Sequence, residues 1–171
     1  MSSVMTLVAA ALLVTSQHPE MPAGMSHEEH LKQIQKAEAL KTRGDEAMGF
    51  DQDATAHHFT LTVAGGSIEV TVKNAADQKN LAAVRAHLRT IADEFAHGRF
   101  DRPLQTHGEV PPGVAAMQAN PRAVVFRYED LPTGGAVRVE TGDAGLVSAV
   151  HAFLRYQITE HRTGDPLSVK P

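Results

Sequence analysis

What most limits the fold of this chain is a pattern that occurs twice. The stretch HHFTLTVAGGSIEVTVK, residues 57 to 73, alternates apolar and polar residues about Gly65-Gly66. Such alternation reads as a β-hairpin with the glycine pair at its turn. Phe59, Leu61, Val63, Ile68, Val70 and Val72 then share the buried face. A helix-period segment follows, roughly Asp77 to His97, with the apolar stripe Leu81, Val84, Leu88, Ile91 and Phe95. The stretch AVVFRYEDLPTGGAVRVET, 123 to 141, repeats the hairpin with Gly134-Gly135 at its turn, and a second helix runs roughly from Asp143 to His161. The helices align at an offset of 66: Ala83, Val84, Ala86, Leu88, Arg89, Glu94 and Gly98 recur at Ala149, Val150, Ala152, Leu154, Arg155, Glu160 and Gly164. The expected fold is α+β: duplicated ββα units forming one four-stranded antiparallel sheet, helices on one face and the other face solvated. Repeat one covers about 55–98, a Gly- and Pro-rich connector 99–122 with one short helix near 114–119, and repeat two about 123–164. Strand order is not readable from the pattern.

The duplication supplies its own reference. Shifting the first stripe by 66 gives Val147, Val150, Leu154, Gln157 and His161. Two apolar positions become an amide and an imidazole. A buried polar group without a partner costs on the order of 1–3 kcal/mol. The change therefore calls for partners, a wet pocket or an exposed helix end. A bland alternative is that Ile158 replaces Gln157 in the stripe and His161 interacts with the helix dipole.

Ten histidines and six methionines, with no cysteine, direct attention to imidazole and thioether chemistry. The absence of cysteine removes disulfides, thiolate zinc sites, iron–sulfur clusters and blue-copper centres. The candidate metal set is His57, His107 and His161, with Met48 or Met117 as thioether ligand. Gln157 stands behind it, and His58, His151 and Asp51 are reserve members. His57 shares the face of Phe59 and Leu61, whereas His58 points the other way. His151 and His161 lie about 15 Å apart along one helix, too far to share an ion. His87 and His97 read as helix-surface residues. Three imidazoles suit copper first and zinc second. Haem b with His/Met or two His ligands is an alternative, and no C-x-x-C-H exists for covalent attachment. A metal-free small-molecule site, a homodimeric interaction module, and an acid/base enzyme using His161 or His107 beside Asp51 or Glu109 complete the set.

The N-terminal run Val4–Val14 is too short to span a bilayer, which takes about 20 apolar residues, and matches a signal-peptide core. Residues 1–16 read as a signal peptide that leaves no membrane span after processing, which implies a periplasmic or secreted protein. Residues 17–47 read as a His/Met-rich linker and a helical arm, with a capping box at Ser26–Glu29, and 48–171 as the duplicated domain. A net charge of −4 argues against a nucleic-acid partner.

The segments RGDEAMGFDQDATAHHF, HGEVPPGV and HAFLRYQITEHRTGDP resemble an uncharacterised family of small exported bacterial proteins, over most of residues 20 to 166. Some members carry the label aspartate carbamoyltransferase. This chain lacks that enzyme's Ser-Thr-Arg-Thr-Arg type of phosphate-binding signature. The resemblance implies export and a single domain, and no reaction.

Overall fold

The computed structural model describes residues 24–170, so the signal-peptide reading of 1–16 and most of the linker lie outside the described residues. The elements run α1 (His27–Met48), β1 (Thr55–Thr62), β2 (Gly65–Val72), α2 (Gln78–Ala96), α3 (Asp101–His107), α4 (Val114–Ala119), β3 (Val125–Leu131), β4 (Gly134–Glu140) and α5 (Ala144–His161). The protein is α+β, with a four-stranded antiparallel sheet in the order β1-β2-β4-β3. Among the described residues no helix is long and apolar enough to cross a membrane. The chain divides after Gln35 into two compact units. The first holds the start of α1, where Ser26 and Glu29 form the expected capping box. The second, from Lys36, holds the sheet, the other helices and the rest of α1, in which Leu40 and Gly44 are buried.

The two repeats are built alike down to their caps. Asp77 accepts the Asn80 N–H at 3.0 Å to start α2, and Asp143 accepts the Leu146 N–H at 2.9 Å to start α5. The predicted stripe of α2, Leu81 through Phe95, is buried throughout. In α5 Leu146 is buried where Val147 was expected, and Gln157 and Ile158 are both buried. Ile158 therefore adds to the stripe and does not displace Gln157.

The turns correct one expectation. They are made by Val63-Ala64 and by Pro132-Thr133, and each glycine pair opens the strand that follows. Val63 is accordingly exposed and not part of the buried face. What the second glycine of each pair provides is a notch. A methyl group on Gly66 would overlap the Thr60 carbonyl and the Leu154 side chain, and one on Gly135 would stand 2.9 Å from the Tyr128 ring and 3.1 Å from Leu88 Cδ1. Leu154 of α5 thus sits on β2, and Leu88 of α2 sits on β4.

That contact reveals an exchange. α2, from the first repeat, packs on β3 and β4 of the second, while α5 packs on β1 and β2 of the first. The repeats meet along β2 and β4, with Ile68 opposite Val137 at the centre. The far face of the sheet carries Arg138 between Glu69 (2.6 Å) and Glu129 (2.8 Å). The outer edge of β1 is covered by the C-terminal segment. Asp165 accepts the Phe59 N–H at 2.9 Å, and the Lys170 N–H reaches the Leu61 carbonyl at 2.8 Å. A covered edge removes one template for unwanted strand pairing.

The notch generates a paired prediction. Gly66→Ala is expected to lose roughly 1–3 kcal/mol to overpacking. Gly142→Ala, where a methyl group meets nothing within 4 Å, should stay within about 0.5 kcal/mol of the parent. Urea unfolding midpoints at constant m-value measure both, and equal stability of the two variants would remove the notch from this account.

Candidate functional site

The exchange of helices decides which side chains meet. β1 carries His57 inward, and α5, not α2, closes over it with Gln157 and His161 at its C-terminal end. α2 supplies His87 from the flank of its stripe. α3, in the connector, ends on His107, with Gly108 taking the left-handed turn that follows (φ 74°). Arg43 of α1 holds that end by donating to the Thr106 and His107 carbonyls at 3.0 and 3.4 Å. His57, His87, His107, Gln157, His161 and Met48 line one small chamber of about 60 Å³.

Its geometry is set by ring contacts. His57 and His161 stack with centres 5.4 Å apart and planes 11° from parallel. His107 meets His161 edge-on at 5.2 Å, and Phe50 lies 5.8 Å from His57 and 5.5 Å from His87. One polar pair is formed inside, His107 Nε2 with Gln157 Oε1 at 3.0 Å. Among the described residues, the buried side-chain nitrogens and oxygens with no hydrogen-bond partner are His57 Nε2, His87 Nδ1, His107 Nδ1 and Gln157 Nε2. All four belong to residues lining this chamber. Native proteins keep such atoms few, and each costs on the order of 1–3 kcal/mol.

Burial keeps the imidazoles neutral. It lowers His57 to about 4, aided by the nearby His58. It lowers His161 to about 3, with His57 and His107 repelling a further charge. His87 falls to about 3 through burial, then Arg102 and His57. Burial also lowers His107, although the bond to Gln157 and the charges of Glu160 and Glu109 oppose it.

No protein-family model, curated protein or solved structure matches this chain. The comparison that informs the site is therefore internal. The strands of the second hairpin repeat those of the first at an offset of 69, as Thr62 opposite Gly65 becomes Leu131 opposite Gly134. The helices repeat at 66. On these offsets His57 corresponds to Phe126, His87 to Phe153 and His161 to Phe95. The three phenylalanines form a cluster of their own, with Phe95 at 5.6 Å from Phe126 and 6.0 Å from Phe153. One half of the molecule fills the space between hairpin and exchanged helix with phenyl rings. The other half fills the equivalent space with imidazoles.

The candidate residues separate accordingly. His57, His107, His161, Met48 and Gln157 come together. Met117 does not: it is fully buried in the apolar core on α4, away from the chamber lining. His58 lies on the other face and binds Asp165 Oδ1 at 3.0 Å, anchoring the C-terminal segment. His151 is buried and binds the Thr62 carbonyl at 2.9 Å, so it secures the end of β1. Asp51 organises a turn by accepting the Asp53 N–H at 2.7 Å. Glu109 accepts from the Tyr156 hydroxyl at 2.7 Å. Neither carboxylate lines the chamber beside His107 or His161, as the acid/base reading required. His87 was missed as a surface residue, whereas His97 is one, bonded to the Asp93 carbonyl at 2.7 Å. Among the described residues no group of three or more His, Asp or Glu side chains is arranged, as placed, to hold a metal ion.

Two predictions follow from the neutral imidazoles. Unfolding restores His57, His87 and His161 to the ordinary value near 6.5, so below that pH the unfolded chain binds protons that the folded chain refuses. Stability is complete above pH 6.5 and falls as pH drops toward 4. The slope approaches, at most, about 4 kcal/mol per pH unit for three histidines. Denaturant titrations between pH 7.5 and 4.5 measure it, and a flat profile across that range would contradict the burial. Replacing His161 by Phe, the residue of the first repeat, removes one contribution. His161→Phe should therefore gain on the order of 1 kcal/mol at pH 7.5 and more at pH 5; a loss at both pH values would mean the chamber is not the counterpart of the phenylalanine cluster.

Proposed function

We propose that this chain is an exported metal-binding protein with a His/Met site, copper before zinc, at the chamber of His57, His107, His161 and Met48. The observation that carries the reading is the gathering around one cavity of the unpartnered buried imidazole nitrogens among the described residues, His57 Nε2, His87 Nδ1 and His107 Nδ1. A buried imidazole with a free lone pair is held at the expense of stability, and a ligand that accepts the lone pair recovers it. The rings are near the required spacing. An ion bonded at about 2.0 Å to each nitrogen puts two imidazole centres roughly 5 to 6 Å apart. The observed separations are 5.4 and 5.2 Å. The rings must still turn, since stacked rings cannot aim their nitrogens at one point. Gln157 would orient His107 through their hydrogen bond, as metal-bound imidazoles usually require of the other nitrogen.

The haem alternative asks for more room. A dry cavity that accepts benzene measures about 150 Å³, and this chamber is about 60 Å³. It suits an ion or a water or two and not a macrocycle. A metal-free binding or homodimeric role remains the competing outcome of the test. Untagged protein is to be analysed for bound metal and then melted with and without one equivalent of copper or zinc ion. The expected result is one ion per chain and a raised melting temperature, about 2.7 kcal/mol of stabilisation at a free metal concentration of 100 Kd. Both effects should be lost in His57→Phe. An unshifted melting curve and metal-free protein would favour the competing role.

A further inference from the structure

The chamber and its neighbouring cleft differ in one respect that bears on the charge of what enters. A cleft of about 370 Å³ adjoins the chamber, and His57 and His161 line both spaces. The cleft is polar and mixed in charge, with Lys41, Lys73 and Arg162 beside Asp53 and Glu160. The chamber has no carboxylate in its lining. Its polar residues are the four histidines, Gln157, Thr106 and one guanidinium, Arg102, paired with Glu94 at 2.9 Å. The remaining wall is largely apolar, including Phe59, Ile91 and Phe153.

From this distribution we infer that the chamber selects a univalent soft cation, Cu(I), over Cu(II) and Zn(II). The inference rests on the metal-binding reading and adds the charge state of its ligand. The cost of moving an ion from water into a low-dielectric space grows with the square of its charge, so a divalent ion incurs roughly four times the penalty of a univalent one. Divalent sites usually offset this with thiolate or carboxylate ligands. Here every donor is neutral, and the one guanidinium in the lining, Arg102, already has its counter-ion in Glu94. Neutral imidazoles and a thioether are soft enough for Cu(I), which accepts two or three ligands without an anion. Asp53 and Glu160 line the cleft and not the chamber, so the chamber itself offers a divalent ion no anionic ligand.

The test compares ions on the full untagged chain under anaerobic conditions. Cu(I) is titrated against the chromogenic chelator bicinchoninate, and Zn(II) and Cu(II) against chromogenic chelators of their own. The expected result is one Cu(I) bound per chain, at least about 100-fold tighter than Zn(II), which corresponds to a free-energy difference of some 2.8 kcal/mol. His161→Phe and His57→Phe, which remove proposed ligands, should each weaken Cu(I) binding by about 100-fold or more, beyond the roughly 10–100-fold lost with supporting groups. Gln157→Glu places a carboxylate in the chamber and should narrow the Cu(I)/Zn(II) gap by at least about tenfold. The wild-type comparison stands even where a variant fails to fold. Zn(II) or Cu(II) binding as tightly as Cu(I) overturns the charge inference and leaves the metal reading intact. Cu(I) binding unaffected in folded His57→Phe and His161→Phe places the ion elsewhere and overturns it as well. Absence of any bound metal overturns both.

Discussion

The architecture depends on two reciprocal contacts, Leu154 seated on Gly66 and Leu88 seated on Gly135. Each leucine is fully buried, and each glycine leaves the space that a side chain would fill. A buried leucine contributes about 1.5–3 kcal/mol relative to exposure, but position matters more here than magnitude. These contacts bind each helix to the hairpin of the other repeat. With α2 and α5 exchanged, neither repeat can close its core alone, and the shared strands β2 and β4 become the seam of a single unit. The contents of the chamber follow. His57 and His161 belong to different repeats, separated by more than a hundred positions, and meet only because α5 lies over β1.

Much of this fold was legible because period and duplication agreed. Alternation identified the four strands, and the 3.6-residue stripe identified α2 and α5, whose capping aspartates recur at the same offset. The glycine pairs misled because Gly-Gly between two alternating runs is also a turn signal. A close helix–strand approach and a tight turn ask the same residue for different reasons, and sequence pattern does not separate them. Nor does the pattern say which helix covers which hairpin: either pairing buries the same apolar stripe. The exchange, which brings the site together, is a three-dimensional choice.

The site was partly legible for a related reason. Gln157 and His161 stood out against Ile91 and Phe95 because the helix offset was visible. His87 could have been found the same way, since the same shift leads to Phe153. It lies on the flank of the stripe, where a histidine in a helix pattern reads as a surface residue. His57 needed the strand offset of 69, which differs from the helix offset, and only the register reveals it. Met117 and Asp51 entered the candidate set by residue type, and their environments, an apolar core and a turn, assign them other work. His58 and His151 are anchors for the chain's end and for β1.

The substitution of imidazole for phenyl has two consequences that cannot be separated. The same burial that keeps His57, His87 and His161 deprotonated weakens the fold in acid, because the unfolded chain binds protons that the folded rings refuse. It also leaves His57 Nε2 and His87 Nδ1 without a partner, and above pH 6.5 a proton no longer competes for the ring lone pairs. A phenylalanine cluster at these positions, like that of Phe95, Phe126 and Phe153 in the other half, would bury no unpartnered nitrogen and offer no lone pair. The chain thus contains both solutions to one packing problem. The half that places neutral, unpartnered nitrogen around its chamber gives up stability that the phenyl half keeps, and any occupant must be one for which neutral donors in an apolar chamber suffice.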